Sequence, residues 1–270
     1  MSALLEVEGL CVDAGGRRAR RRVVQDAALT VSAGECVGVV GESGSGKSMT
    51  MRAIIGLLPR GARVAAGDLR FASGGDDPAP YDAVRVRGRG IAMVFQEPMT
   101  ALNPTRRVGD LVADAVIVNG SRVRRSAARR RAVTLLEEVG VPDPEGRARA
   151  FPHELSGGLR QRVMIAIALA GNPRLVICDE PTTALDVTVQ DQILGLLDGL
   201  RRERGLGLLF VTHDLGVVAQ ISQRLVVMQG GQVVESGDTA DVLEHPRHPY
   251  TAALRRAAAE LEGAPPVKVR

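Results

Sequence analysis

The chain has 270 residues and a formal net charge of +4, and apolar residues make up 45% of it. These properties exclude a disordered chain, and they allow one large α/β domain or a core with a small appended subdomain. Aromatic residues are only 2%, with no tryptophan, so we expect a core of Val, Leu, Ile and Ala. No apolar run approaches the roughly 18–20 residues of a membrane-spanning helix, and the N-terminal residues do not resemble a signal peptide. We therefore expect a cytosolic protein.

The basic residues are almost all arginines, because Lys47 and Lys268 are the only lysines. Arginine runs such as residues 20–22 and 129–131 are typical of binding to nucleic acid or anionic lipid, or of solvated loop and helix faces. Few aromatic side chains are present to stack on bases, which favours the second interpretation. The three cysteines are far apart and form no C-x-x-C pair, which argues against a disulfide framework or a Cys-based zinc site.

The first half of the chain predicts alternating strands and helices. We expect a strand at residues 37–41, a helix at 47–58 stopped by Pro59, a turn-rich loop at 73–82 and a strand at 91–95. Residues 107–140 predict two helices divided at Asn119 and Gly120. The second of these helices carries the Arg-rich face.

The second half continues the alternation. Ser156 is a suitable N-cap for a buried helix that Gly171 and Pro173 close. Beyond it we expect a strand at 175–178, a helix at 187–204, a strand at 208–212 and a hairpin of residues 225–228 and 232–235. Strands that alternate with helices predict βαβ units and a largely parallel sheet.

A phosphate-binding motif follows the first predicted strand. Residues 41–48 fit G-x-x-x-x-G-K-[ST] between a strand and a helix, which is the structural context that the motif requires. Glycines let backbone N–H groups converge on phosphate oxygens, the lysine reaches the terminal phosphates, and the serine hydroxyl is a Mg²⁺ ligand. No Asn-Lys-x-Asp guanine-binding motif is present. The residues predicted to contact nucleotide here are Gly41, Glu42, Ser43, Gly44, Ser45, Gly46, Lys47, Ser48 and Met49.

Two adjacent acids end the apolar run at 175–178. Side chains of neighbouring strand residues point to opposite sides, so Asp179 is expected to address Mg²⁺ while Glu180 faces the γ-phosphate and polarises the attacking water. A second glycine-containing turn, Ser156-Gly157-Gly158, lies at another helix N-terminus and is a second anion site. One nucleotide has little use for two such sites in one chain, which suggests that the second serves a neighbouring chain.

Taken together, these motifs resemble an ABC ATPase cassette. The matching segments are GESGSGKS, Gln96, LSGGLRQR, LVICDEP, Ala184-Leu185-Asp186 and His213, and they cover about residues 4–245. The resemblance implies a P-loop NTPase fold of the α/β class, with a RecA-like core, an N-terminal antiparallel β subdomain and an inserted α-helical subdomain. The ABC ATPase domain would span residues 1–245, with the helical subdomain at about 97–160 and a C-terminal helical tail at 246–270.

The resemblance also implies residue roles. Two cassettes would close face to face on two ATP molecules, each held by one subunit's Gly41–Ser48 loop and covered by the other's Ser156, Gly157, Gly158 and Gln161. Gln96 would contact Mg²⁺, together with Ser48 and Asp179, and would report on the membrane partner. Asp186 would link the two sites, and His213 would hold the γ-phosphate and act with Glu180. The family usually stacks adenine on an aromatic residue where this chain has Ala14; an arginine within residues 17–22 is the candidate substitute.

Finer features resemble the dipeptide, oligopeptide and nickel importer branch of the family. These features are EPMTALNP after Gln96, DEPTTALDVTVQ, and HPRHPYT at residues 245–251. The resemblance implies two transmembrane permease subunits, a second ATPase subunit that is identical or related, and indirect contact with an extracytoplasmic substrate-binding protein. The subunit would then act at the cytoplasmic face of the membrane, without nucleic acid. Peptide is the favoured cargo, nickel or a metal chelate is the alternative, and a soluble ABC ATPase that acts on DNA or ribosomes is the least favoured.

Overall fold

The computed structural model describes residues 3–16, 19–74, 77–97, 101–120, 123–183 and 185–262. The strands in these ranges are β1 (Ala3–Gly16), β2 (Ala19–Ser32), β3 (Cys36–Val40), β4 (Arg63–Phe71), β5 (Ala79–Pro80), β6 (Ile91–Val94), β7 (Leu175–Asp179), β8 (Gly207–Val211), β9 (Arg224–Gln229) and β10 (Gln232–Asp238). The α-helices are α1 (Lys47–Ile54), α2 (Ala83–Val86), α3 (Val108–Asn119), α4 (Arg125–Glu138), α5 (Pro144–Arg149), α6 (Gly157–Leu169), α7 (Val187–Arg204), α8 (Leu215–Ile221), α9 (Thr239–Glu244) and α10 (Pro249–Glu262).

A six-stranded sheet with the order β10-β9-β3-β8-β7-β6 forms the centre of the molecule. Its strands are parallel except for β10, which forms an antiparallel hairpin with β9. Every residue of β3, β7 and β8 is buried, as expected for a parallel sheet that is covered on both faces. The predicted α/β core is confirmed, and the carboxyl ends of β3 and β7 lead directly into the glycine-rich motif and the paired acids.

A second, antiparallel sheet has the order β2-β1-β4-β5, and it forms the expected N-terminal β subdomain. Its buried side chains, such as Leu5 and Val12, share one core cluster with Met51 and Ile54 of α1. Arginines 20–22 lie on β2, whereas we expected loop or helix faces. Arg22 pairs with Asp13 on β1 at 2.6 Å. These arginines therefore belong to an exposed strand end. The strand was not predicted there, because the sequence lacks an alternation of apolar and polar residues.

Helices α3, α4 and α5 and the N-terminal part of α6 form the inserted helical subdomain. The predicted division at Asn119 and Gly120 is confirmed, because α3 ends at Asn119. Its arginines pair with acids of the same subdomain, Arg129 with Asp110 at 3.1 Å and Arg131 with Glu138 at 2.7 Å. Much of the positive charge on this surface is thus neutralised locally.

The helix that follows the glycine-rich motif is shorter than predicted. It ends at Ile54, and Gly56 adopts a left-handed conformation with φ of 67°. The N–H of Gly56 donates to the carbonyl of Ala53 and that of Leu57 to the carbonyl of Arg52, which is a Schellman motif. The glycine therefore stops this helix before the proline that we expected to stop it. Among the described helices, none has both the length and the apolar character that crossing a membrane requires.

Candidate functional site

The glycine-rich loop opens into a cleft of about 820 Å³. Strand β3 delivers the chain to the loop at Val40, and α1 begins at Lys47. The cleft brings the predicted loop residues together with three predicted residues from distant elements, Gln96, Glu180 and His213. Its full lining is Val23, Glu42, Ser43, Gly44, Ser45, Gly46, Lys47, Ser48, Met49, Gln96, Glu180, Thr183 and His213.

The loop is held against the hairpin of β9 and β10. Gly41 has a φ of 150°, and a Cβ atom there would lie 2.1 Å from the carbonyl oxygen of Met228. Only glycine permits so close an approach. The Ser45 carbonyl accepts a hydrogen bond of 2.9 Å from the N–H of Gly231 at the hairpin turn. The conformation of the loop therefore depends on contacts outside the motif.

Lys47 is a buried cation at the base of the loop, with 5% of its surface exposed. Its Nζ donates to the carbonyls of Gly41 at 2.5 Å and Glu42 at 2.9 Å. Burial lowers the pKa of Lys47, and the nearby carboxylates of Glu180, Asp179 and Glu42 act in the opposite direction. The ammonium group is thus already positioned in the cleft, as phosphate binding requires.

Ser48 and Asp179 form a pair suited to a divalent cation. The Ser48 hydroxyl donates to Asp179 Oδ1 at 2.9 Å, and Asp179 is 4% exposed at the end of β7. Burial raises the pKa of Asp179, whereas the hydrogen bond from Ser48 and the charges of Arg52 and Lys47 lower it. No group of three or more His, Cys, Asp or Glu residues that could hold a metal ion exists in the described ranges. One carboxylate and one hydroxyl fit Mg²⁺, which takes its other ligands from phosphate and water.

The position of Glu180 differs from the expected strand alternation. Strand β7 ends at Asp179, and Glu180 has a left-handed backbone with φ of 48°. Its N–H donates to the carbonyl of Val211 on β8 at 2.9 Å. The side chain therefore turns toward the cleft because of an uncommon backbone conformation, not because of extended geometry. Such conformations in non-glycine residues cost free energy and concentrate at functional sites.

Three side chains converge on Oε2 of Glu180. Gln96 Nε2 and the Thr183 hydroxyl each donate to it at 3.0 Å, and His213 Nδ1 lies 3.5 Å away. His213 is 62% exposed on its side chain, so its free edge faces the open cleft. Gln96 thus contacts Glu180 in this structure, and the predicted contact of Gln96 with Mg²⁺ stays a prediction. Thr183 was not predicted from the sequence, and its N–H donates to the carbonyl of Glu180 in the turn that follows β7.

The second glycine turn lies apart from the cleft, since none of the residues predicted around it appears in the cleft lining. Ser156 caps α6 by accepting from the N–H of Leu159, and Asp186 caps α7 by accepting from the N–H of Val189. The two caps are neighbours, because Gly157 and Gly158 lie against Leu185 and Val189.

Gln161, also predicted to contact nucleotide, is 1% exposed on α6. Its predicted contact with nucleotide stays a prediction.

Residues 24–183 match the family model described as "ABC transporter". The chain belongs to the ABC transporter family. This match includes the glycine-rich loop, Gln96, the second glycine turn and the paired acids. The resemblance inferred from the motifs is thereby confirmed for the family.

Individual ABC relatives match almost the whole chain. It is 47% identical to the dipeptide transport ATP-binding protein DppD of Escherichia coli, over 96% of this chain and 79% of the relative. It is 50% identical to the oligopeptide transport ATP-binding protein OppD of Mycobacterium tuberculosis, over 98% of this chain and 43% of the relative. The ABC fold is matched by a dimeric post-hydrolysis structure of the cassette MJ0796 bound to ADP and Pi, with a TM-score of 0.75, 27% identity, and coverage of 87% of this chain and 99% of that one.

Proposed function

We propose that this chain is the ATP-hydrolysing subunit of an ABC importer for dipeptides or oligopeptides. The proposal rests on one observation: the Gly41–Ser48 loop, Gln96, Glu180 and His213 face the same cleft. The names of the relatives support peptide as the cargo, and they favour it over nickel or a metal chelate. The transported solute is defined by other subunits, since a fold alone does not specify a substrate.

The proposed machine contains two permease subunits and a second ATPase subunit, which is identical or related to this one. The chain acts at the cytoplasmic face of the membrane and meets the extracytoplasmic substrate-binding protein only indirectly. Support for a second ATPase subunit comes from the second glycine turn, which caps a helix away from the cleft. Nucleic acid has no part in this proposal.

Within the cleft, each residue has a proposed task. In the substrate ATP, the phosphoanhydride bond to the γ-phosphorus would break as the water oxygen bonds to that phosphorus, and ADP would leave. Mg²⁺ held in the site would supply neutralisation of the phosphate charge. The N–H groups at the α1 end of the Gly41–Ser48 loop and the ammonium group of Lys47 would bind phosphate, while Ser48 and Asp179 would hold the metal. Glu180 takes the proton from the attacking water, and Thr183 keeps its carboxylate oriented.

The remaining predicted residues complete the site. His213 stands next to the Glu180 carboxylate and is proposed to contact the γ-phosphate with its free edge. Gln96 is proposed to transmit the state of the permease, because it already touches Glu180. Ser156, Gly157 and Gly158 would cover the nucleotide of the partner subunit, and Asp186 would join the two sites at the same surface.

Replacing Glu180 tests the proposed base. Glu180→Gln removes the proton acceptor and keeps the shape, so we expect ATP hydrolysis to fall by about 10²–10⁴-fold while ATP binding persists. The control is Glu203→Gln, at an exposed position near the end of α7. Steady-state hydrolysis by Glu180→Gln at the rate of the control would remove Glu180 from this role.

Replacing Ser156 tests the two-subunit site. Ser156→Arg should leave nucleotide binding to the isolated chain unchanged, because Ser156 does not line the cleft. It should prevent ATP-driven association of ATPase subunits, because a long cation then occupies the covering surface. Ser126→Arg, at an exposed serine near the start of α4, is the matched control. Association of the Ser156 variant as efficient as that of the control would contradict the arrangement.

A further inference from the structure

The hydroxyl of Tyr250 reaches the glycine-rich loop from the far end of the chain. Tyr250 is the second residue of α10 and is 8% exposed. Its oxygen accepts a hydrogen bond of 2.9 Å from the N–H of Glu42. The two residues are 208 positions apart in the sequence. A hydrogen bond over this separation ties the C-terminal segment to the phosphate-binding loop.

The backbone of Glu42 is held at both of its polar groups. Its carbonyl accepts from Lys47 Nζ at 2.9 Å and from the N–H of Ser45 at 3.1 Å. Both of these donors belong to the loop itself, whereas Tyr250 holds the N–H from outside. A phosphate that binds Lys47 Nζ would compete with these carbonyls. The bond from the Glu42 N–H to Tyr250 does not involve Lys47.

The chain around Tyr250 is itself fastened to the core. The carboxylate of Glu235 on β10 accepts from the N–H of Arg247 at 2.8 Å and from that of His248 at 3.1 Å. His248 Nδ1 accepts from the N–H of Tyr250 at 3.2 Å. These bonds set the direction in which α10 begins. The tyrosine hydroxyl is therefore delivered to the loop by a defined backbone path.

The ring of Tyr250 belongs to a buried apolar cluster that adjoins two sides of the cleft. The cluster includes Val40, the residue before Gly41, and Leu215, two residues after His213. Burial raises the pKa of Tyr250, so the phenol stays neutral at physiological pH. Both the ring and the hydroxyl thus connect α10 to the elements that carry the loop and His213.

We propose that Tyr250 is a positioning residue for nucleotide binding. Together with Glu235, Arg247 and His248 it forms a C-terminal latch, which keeps the Glu42 backbone in the orientation that the phosphate-binding loop requires. The inference rests on the proposed ATP-binding function of that loop. Because the latch orders the loop before nucleotide arrives, its loss should weaken affinity and leave the chemistry at Glu180 little changed.

The chain provides a matched control, because it has only two tyrosines. Tyr81 donates its hydroxyl to the carbonyl of Ile54 at the end of α1 at 2.7 Å, remote from the loop. Tyr250→Phe and Tyr81→Phe each remove one hydrogen bond of a tyrosine hydroxyl and keep the ring. We expect Tyr250→Phe to weaken binding of Mg·ATP and of ADP by about 3–10-fold, as the loss of one hydrogen bond implies. The maximal hydrolysis rate should change by less than about 2-fold, and Tyr81→Phe should bind nucleotide like the wild type.

A second readout follows the contact itself. Protein that carries 3-fluorotyrosine shows two fluorine NMR resonances, which the two Phe variants assign. Nucleotide should shift the Tyr250 resonance and leave that of Tyr81 in place. Wild-type affinity in Tyr250→Phe, or an equal loss in both variants, would overturn the latch and leave the proposed function intact. Wild-type protein that binds no nucleotide would overturn the proposed function and the latch together.

Discussion

Gly158 in the second glycine turn provides a sharp test of how this surface is built. A Cβ atom at Gly158 would lie 2.6 Å from Cγ1 of Val189, whereas one at Gly157 would meet Leu185 at an ordinary 3.5 Å. Val189 lies in α7, where a β-branched side chain has one strongly preferred rotamer and cannot swing away. The two adjacent glycines therefore predict opposite results for the same substitution.

The magnitudes follow from two opposing effects. Replacing glycine by alanine within a helix stabilises by about 0.5–1 kcal/mol, and overpacking costs about 1–3 kcal/mol. We expect Gly158→Ala to lower the free energy of unfolding by about 1 kcal/mol, the difference between the midpoints of these two ranges. Gly157→Ala should be neutral or stabilising. Urea unfolding followed by circular dichroism measures both changes.

A compensating substitution in α7 tests whether the clash with Val189 causes the destabilisation. Val189→Ala removes the γ-methyl groups, so Gly158→Ala should become neutral or stabilising in that background, with a coupling energy of about 1–3 kcal/mol. If Gly158→Ala destabilises equally in both backgrounds, contact with Val189 is not the reason for glycine at this position. ATP-driven association, measured in the same variants, shows whether restored packing also restores the covering surface.

Three further predictions concern the cleft. Thr183→Val should lower the maximal hydrolysis rate by about 3–10-fold with little change in ATP affinity, because Glu180 loses one hydrogen-bond donor. Thr183→Ser keeps the hydroxyl and should restore the rate. Equal hydrolysis rates for the two variants would contradict the prediction. Without nucleotide, Asp179→Asn should raise the unfolding temperature at neutral pH, because burial raises the pKa of Asp179 and makes its ionised form unfavourable in the folded state. The gain should vanish below about pH 4, where the carboxyl group is protonated in the folded and unfolded states. An unchanged unfolding temperature at pH 7 would contradict this prediction. Ala14→Tyr should strengthen ATP binding by about 3–10-fold if this position faces the base, and identical affinities would place the base elsewhere.

Local signals in the sequence predicted much of the fold and most of the cleft. The periodicity of residues 187–204 reproduces α7, and the glycine-rich motif between β3 and α1 is where its pattern indicates. The end of α1 was predicted too late, because Gly56 was given less weight than Pro59. The left-handed conformation of Glu180 was also missed, since an acid directly after a strand carries no sign of a backbone reversal.

Contacts that depend on tertiary packing could not be predicted from local sequence patterns. The bond between Tyr250 and Glu42 joins residues 208 positions apart, and neither segment alone indicates the other. Likewise, the sequence does not show that Gly158 lies against Val189 of α7. Residues held at a fixed spacing within one loop can be predicted from a motif, because function requires that spacing. Geometry that two remote elements determine together cannot.

The shared nucleotide site is tested most directly by a structure of the assembled transporter that carries Glu180→Gln, trapped with Mg·ATP. We predict that the triphosphate held by the Gly41–Ser48 loop of this chain lies within hydrogen-bonding distance of the serine hydroxyl and glycine N–H groups of the equivalent turn in the partner ATPase. Ser156, Gly157 and Gly158 of this chain should in turn cover the partner's nucleotide. A trapped complex in which these residues face solvent, with each triphosphate enclosed by a single chain, would contradict the account.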